Sequence, residues 1–426
     1  MTFSPLSFVA LGIFVLAYVL VMLEELIRLK KSKPVVVAAG LIWLLIGLMH
    51  PLAPGLEDSL SHLFAEYGAL FLFLLVAITF VNTLEERRVF DVLRVRMVAL
   101  GLSYRALYWL IGVLAFVLSG ILDNLTTALV MGAIALSVGR DAPRFLALTC
   151  ISIVVAANAG GAFSPFGDIT TLMVWQKGKI AFFEFFALFL PSVVNWLVPA
   201  VIMGFGMERG KPVVQAASVK MKPGAWGVMI LFALSIATAV SFHSLLGLPP
   251  ALGMMLGLGL LQLHAHILQR RGKRRHNDDM VLDAFRQIER VEWDTLLFFF
   301  GIIFAVGGLG YLGWLNLAHT TLYGQFGPTA ANISIGLLSA VLDNIPLMYA
   351  VLAMDPAMSH GQWLLVTLTC GVGGSLLAVG SAAGVALMAI AGAHYGVIKH
   401  LKWSWAVLLG YAASIITHLT LNASLF

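Results

Sequence analysis

Two aspartates stand inside apolar runs, each followed by an asparagine. They are Asp123–Asn124 in "SGILDNLTT" (119–127) and Asp343–Asn344 in "SAVLDNIPL" (339–347). A third, Asp168, sits in "VVAANAGGAFSPFGDITTLMVW" (154–175). An aspartate at the centre of a membrane helix costs about 2.5–3.5 kcal/mol to insert, and acids that persist there mark ion or proton pathways. Neutral oxygens surround the three: Asn124, Thr126, Thr127, Asn158, Ser164, Thr170, Thr171, Ser339, Asn344 and Ser381. Carboxylate, amide, hydroxyl and carbonyl oxygens suit a hard cation such as sodium. Burial disfavours a carboxylate's charged form and a bound cation favours it, so proton and cation compete for the same oxygens. Two carboxylates close together titrate as one coupled pair.

Each acid also has a plainer role. Aspartate is a good helix N-cap, so Asp123 and Asp343 can cap the helices that follow them, alone or while binding an ion. Asp168 can cap or partner a nearby hydroxyl. Asp294, in "EWD" (292–294), is a secondary candidate, because the helix dipole alone favours an acid at a helix start. "HAH" (264–266) reads as a solvated face and Glu184 as interfacial. No phosphate loop, nucleotide motif or transition-metal spacing is present, so neither an enzyme nor a cofactor is expected.

The elements that position these residues follow from composition. Of 426 residues, 60% are hydrophobic and 11% charged, against about 25% charged in soluble proteins. Apolar runs long enough to cross a bilayer of roughly 30 Å recur throughout. The fold class is an all-α polytopic membrane protein. The net charge of +5 therefore reads as lysine and arginine collected in cytoplasmic loops. Cys150 and Cys370 lie in apolar surroundings and suggest no disulfide framework. The first apolar run has its basic residues after it, which reads as a retained helix.

Ten full spans are expected at about 5–27, 34–52, 65–84, 145–175, 180–206, 224–243, 248–268, 292–315, 362–394 and 402–423. Two further regions, about 104–138 and 328–354, are interrupted near the middle by LDN. The second region's arms reach only ~15–17 Å at 1.5 Å per residue, about half a membrane. Both regions read as re-entrant hairpins; the alternative is a pair of ordinary helices joined by a turn. The basic clusters at 28–33, 86–96, Arg140 with Arg144, 208–211, 269–275, and Lys399 with Lys402 then all fall on one face. By the positive-inside rule that face is the cytoplasm, "GLEDS" (55–59) lies outside, and both termini are periplasmic.

The halves repeat. At an offset of 220, Leu122–Asn124 meets Leu342–Asn344, Ser119 meets Ser339, "LTC" (148–150) meets "LTC" (368–370), and Gly160 meets Gly380. The layout divides into N-terminal helices (1–60), a first repeat (61–210) and connecting helices with a second repeat (211–426). The repeats are inverted, and each has a broken helix after its hairpin: about 145–175, weakened by Gly160–Gly161 and Pro165, and about 362–394. Inverted repeats with interrupted helices meeting at the midplane are secondary-transporter architecture.

"LDNLTTALV", "GGAFSPFGDITTLMVW" and "LDNIPLMYAVLAMDP" resemble the NhaD-type sodium/proton antiporters, of the ion-transporter superfamily that includes arsenite-pump, citrate and dicarboxylate carriers. The resemblance runs from about 35 to 423, and "SPFGDITT" is its most specific string. It implies exchange of sodium, or lithium, for protons in a bacterial inner membrane. It also implies a homodimer in which a mobile part holds the hairpins. By that resemblance Asp123, Asn124, Asp168, Ser339, Asp343, Asn344 and Ser381 match positions around the cation, and Asp294 matches a functional acid. Ala378 stands where a hydroxyl would be expected.

Three other readings remain. An anion or dicarboxylate carrier of the same fold relies on neutral residues at the hairpin tips, where this chain has aspartates. An intramembrane aspartyl protease would have glycine-x-glycine-aspartate, but Pro165 and Phe166 precede Asp168. A channel would not need inverted, broken repeats around a titratable site.

Overall fold

The computed structural model describes residues 4–49, 55–139, 141–212 and 219–426. Among them the chain is helical, with no strand. Nine of the described helices are long and apolar enough to cross a membrane; this is a multi-pass membrane protein. Arg140 and the end of the span expected to reach residue 52 lie outside the described residues.

The chain divides into two compact units. The first comprises Met1–Val89 and Lys220–Thr320. It contains α1 (Pro5–Met22), α2 (Glu24–Ile27), α3 (Ser32–Met49) and α4 (Leu56–Glu86). Ser4 caps α1, its Oγ accepting from Ser7 N. The acidic "GLEDS" segment enters α4, whose first turn carries Glu57 and Asp58, where the helix dipole favours acids. The same unit holds α11 (Ala225–Leu246), α12 (Pro250–Arg275), α13 (Ala284–Glu289) and α14 (Trp293–Tyr311). Arg87, fully buried, ties its parts together. It pairs with Glu86 at 2.6 Å and donates to the carbonyls of Pro223, Asp279 and Val281.

The second unit comprises Phe90–Val219 and Thr321–Phe426. "VFDVLRVRMVA", expected as basic loop, is a helix, α5 (Val89–Ala99), with Asp91 pairing Arg94 one turn on at 3.3 Å. Next come α6 (Tyr104–Ser119), α7 (Asn124–Gly139), α8 (Pro143–Ala162), α9 (Ile169–Gln176) and α10 (Phe189–Phe205). A helix not expected from the sequence opens α15 (Trp314–Leu338), of which the part from Thr321 belongs to this unit. Gly327 (φ 73) and Pro328 divide that helix: the first supplies a left-handed residue, the second a helix start that needs no N–H. The chain continues in α16 (Asn344–Met354), α17 (His360–Gly373), α18 (Ala382–Ala391), α19 (Val397–Leu401) and α20 (Ser404–Leu421).

Two helix–tip–helix pairs appear where LDN interrupts the apolar runs, α6–α7 and the end of α15 with α16. The arms α6 and α7 have 16 residues each, ~24 Å. The arm α16 has 11, ~16 Å. Only the second pair is as short as half a membrane.

Both expected breaks are present, at 163–168 between α8 and α9 and at 374–381 between α17 and α18. Gly160 and Gly161 do not make the first; α8 continues through them to Ala162. They permit close approach instead. A methyl on Gly160 would overlap the Phe116 carbonyl oxygen, and one on Gly161 would lie 2.8 Å from Gly167 O.

Those contacts overturn part of the repeat register. A methyl on Gly373 would overlap Gly336 O, and one on Gly374 would lie 2.7 Å from Gly380 O. The hairpins keep the offset of 220 (116 to 336), but Gly160 matches Gly373 and Asp168 matches Ser381, an offset of 213. The hydroxyls agree: Ser119 Oγ donates to Ala157 O at 2.6 Å and Ser339 Oγ to Cys370 O at 2.9 Å. Cys370 therefore matches Ala157, not Cys150. The second half lacks seven residues between hairpin tip and break (124 to 160 against 344 to 373), about two helical turns. The shared "LTC" and the Gly160–Gly380 pairing are coincidences of sequence. Packing is reciprocal: α9 lies against α16, and α18 against α7.

Candidate functional site

Asp168 is the centre of the arrangement. It caps α9 from an extended backbone (φ −143, ψ 148) and is 5% exposed. Its Oδ1 accepts from Thr170 N at 2.9 Å and Thr170 Oγ1 at 3.0 Å. Its Oδ2 accepts from Asn124 Nδ2 at 3.0 Å and Asn344 Nδ2 at 3.1 Å. One carboxylate thus joins the two LDN tips, 220 residues apart (124 and 344). All four donors are neutral, and no lysine, arginine or histidine among the described residues pairs with Asp168. A buried carboxylate without a counter-charge is costly unless protonated or matched by a cation.

Behind it, Asn158 is fully buried on α8, and its Oδ1 accepts from Asn124 Nδ2 at 3.1 Å. Asn158 Nδ2 and the buried Thr127 Oγ1 have no hydrogen-bond partner. Such groups call for a water or a ligand. Thr171 Oγ1 donates to the carbonyls of Ser164 (2.8 Å) and Asp168 (2.6 Å), which closes the first break on itself.

The other two acids are caps. Asp123 Oδ1 accepts from Thr126 N at 2.8 Å and Oδ2 from Thr126 Oγ1 at 2.6 Å. Asp343 Oδ1 accepts from Ile345 N at 3.2 Å, and its charge acts on Asp168. Three helix starts, those of α7, α9 and α16, therefore each carry a capping aspartate. No group of three His, Cys, Asp or Glu side chains among the described residues is placed to hold a metal, so the three acids do not together form a three-carboxylate metal site.

A family profile described as citrate transporter, CitMHS, matches residues 5–371. The Na+/H+ antiporter NhaD of Alkalimonas amylolytica is 52% identical over 448 aligned residues, covering 100% of this chain and 93% of that protein. The chain belongs to the NhaD family. The NhaD antiporter of Vibrio cholerae serotype O1 is 49% identical over 447 residues, covering 100% and 94% of the two chains. That of Halomonas elongata is 49% identical over 448, covering 100% and 90%.

In this NhaD-family chain, Asp168, Asn124, Asn344, Asn158 and Thr170 converge. Ser339 does not: its hydroxyl is committed to Cys370 O. Ser164 Oγ accepts from Phe166 N at 3.3 Å, and Ser381 caps α18, accepting from Gly384 N at 3.3 Å. Because Ser381 matches Asp168 (381 and 168, offset 213), only the first break carries an acid. Ala378 is buried and matches Pro165 (378 and 165, the same offset). Asp294 belongs to the first unit, where Ser32 Oγ donates to its Oδ1. Cys370, which the sequence places only in apolar surroundings, donates its Sγ–H to Asn344 O at 3.3 Å and so holds the residue that reaches Asp168. No pattern in the sequence signals that bond.

Proposed function

We propose that the chain is a secondary transporter exchanging sodium, or lithium in its place, for protons across a bacterial inner membrane by alternating access. The observation that carries this is the buried Asp168 carboxylate, joined by Asn124 and Asn344 to both hairpin tips and lacking a cationic partner among the described residues. The printed names of its NhaD relatives support the same exchange. Cation and proton alternate at Asp168, with Asp343 close enough to couple. Thr127, Asn158, Thr170 and Thr171 supply neutral oxygens around it. No cofactor takes part; sodium and proton are the transported species. The reading includes inverted repeats, a homodimer and periplasmic termini, the last supported by the distribution of basic residues.

An anion carrier fits less well. Helix starts bind anions through free N–H groups and a positive dipole end. Here Thr126 N, Thr170 N and Ile345 N already donate to Asp123, Asp168 and Asp343. The acids occupy and neutralise the ends that an anionic substrate would use.

Proton flux in everted vesicles tests the reading. Sodium and lithium should dissipate an acid-inside gradient; potassium and citrate should not. If no cation dissipates it, antiport is wrong, and flux that requires citrate favours the dicarboxylate carrier. In the same assay Asp123→Asn should retain exchange within about threefold, because asparagine caps nearly as well as aspartate. Complete loss would make Asp123 a cation ligand instead of a cap.

A further inference from the structure

The two breaks satisfy their freed carbonyls differently. In the first, Thr171 Oγ1, in the first turn of α9, serves Ser164 O and Asp168 O. Its counterpart in the second is Gly384 (384 and 171, offset 213), which has no hydroxyl, and the Ala378 carbonyl fills the space a side chain would need. In the second break Ser375 Oγ donates to Val372 O at 2.6 Å, but the next two carbonyls, of Ser375 and Leu376, are served from outside. His400 Nε2 lies 2.9 Å from Ser375 O, and Ser404 Oγ donates to Leu376 O at 2.7 Å.

His400, on α19, is fully buried, and Tyr395 is 2% exposed. A carbonyl only accepts, so the imidazole proton sits on Nε2. Tyr395 Oη, 2.7 Å from Nδ1, then donates to that nitrogen and fixes the tautomer. Burial pushes the His400 pKa down to about 4, against the opposing pull of its bond to Ser375 O. The ring is therefore neutral at and above neutral pH.

Ser375 lies one residue beyond Gly374, the C-cap of α17. On that helix, Cys370 holds Asn344 O at 3.3 Å, and Asn344 Nδ2 reaches Asp168 Oδ2 at 3.1 Å. We infer that His400 is a positioning residue for cation binding: its bond to Ser375 O anchors the end of α17, and through Cys370 and Asn344 that anchor sets the oxygens of Asp168. The inference rests on Asp168 being the exchange site. It makes sodium affinity depend on a side chain outside the broken helices.

The test is sodium-driven proton flux by the full-length protein reconstituted in liposomes, at matched amounts of folded protein. His400→Gln keeps an amide donor near the Nε2 position; His400→Asn is too short to reach. His400→Asn should raise the half-maximal sodium concentration about tenfold, as expected for about 1.4 kcal/mol from one lost buried bond. The maximal rate should stay within about twofold, since substrate affinity alone is weakened. His400→Gln should stay within about threefold of the parent protein in half-maximal sodium, and neither variant should move the pH profile. A folded His400→Asn protein with unchanged sodium dependence overturns the inference. So does a Gln variant as impaired as the Asn one, or a shifted pH profile. Should His400→Asn fail to accumulate, Ser404→Ala reads the same break through Leu376 O. It should raise half-maximal sodium about threefold, and an unchanged value overturns the proposal. Asp168→Asn runs alongside. If it still exchanges sodium, the site reading itself fails; if it is inactive while His400→Asn is unaltered, only the positioning role fails.

Discussion

Asp168→Asn leaves the protein folded and abolishes sodium-driven proton movement. Asparagine has the shape of aspartate and is an equally good N-cap, so α9 should still start at Ile169. The loss is electrostatic. Both oxygens of Asp168 accept hydrogen bonds, from Thr170 on one side and from Asn124 and Asn344 on the other. An amide offers one oxygen, so its NH2 must face either the Thr170 or the asparagine donors. One set is left unmatched at about 1–3 kcal/mol. The charge that would hold a cation is gone as well, and hydrogen bonds to charged groups are roughly twice as strong as neutral ones. Together these should weaken sodium binding by about a hundredfold or more, since each 1.4 kcal/mol is tenfold. Flux in everted vesicles should fall to background while the purified protein still unfolds cooperatively, at a midpoint lowered by no more than those unmatched donors account for. Retained exchange with normal sodium dependence would remove Asp168 from the mechanism. In the parent protein, one-proton competition at this carboxylate should raise half-maximal sodium as pH falls, approaching about tenfold per pH unit once the carboxylate is mostly protonated. Asp343→Asn should flatten that dependence with a smaller loss of rate, because Asp343 acts on Asp168 through its charge.

Much of this site was legible in the sequence. The three acids stand out because acids in apolar runs are expensive, and Pro165 marks the first break because a helix interior tolerates proline poorly. The capping role of Asp123, Asp168 and Asp343 follows from residue type alone. What the sequence hid lies in tertiary geometry. Identity at Cys150 and Cys370 favoured an offset of 220, whereas backbone approach at Gly160 and Gly373 requires 213 at the breaks. A seven-residue deletion inside a helical region changes no local pattern, because two turns return the same face. Ser381 has the oxygen chemistry of a cation ligand, but its hydroxyl serves its own helix. His400 carried no signal; only its bond to Ser375 O connects it to the break. The α5 helix was masked by its charges, which read as loop once the positive-inside rule had assigned them.

Gly373→Ala should fail where Gly371→Ala, two residues earlier on the same helix, succeeds. A methyl at Gly373 would overlap Gly336 O and lie 2.8 Å from Gly336 C. These are backbone atoms of the facing hairpin arm, so no rotamer change relieves the clash. Overpacking of this kind costs about 1–3 kcal/mol, occasionally more, and here both helices must part. At Gly371 the nearest atom to an added methyl is the Ala162 Cβ at 3.4 Å, an ordinary contact. Replacing a helical glycine with alanine there gains roughly 0.5–1 kcal/mol of backbone entropy. Thermal unfolding of the detergent-purified proteins should therefore show Gly371→Ala unchanged or more stable and Gly373→Ala clearly less stable, if it accumulates at all. Transport should be lost along with stability in Gly373→Ala, because displacing the end of α17 withdraws Cys370 from Asn344 and Asn344 from Asp168. The comparison also decides the register. At an offset of 220, Gly373 aligns with Ile153 (373 − 220), a position that needs no glycine. At 213 it aligns with Gly160, whose own added methyl would meet Phe116 O in the same way. A fully stable, active Gly373→Ala protein would restore the longer register and separate the second break from Asp168.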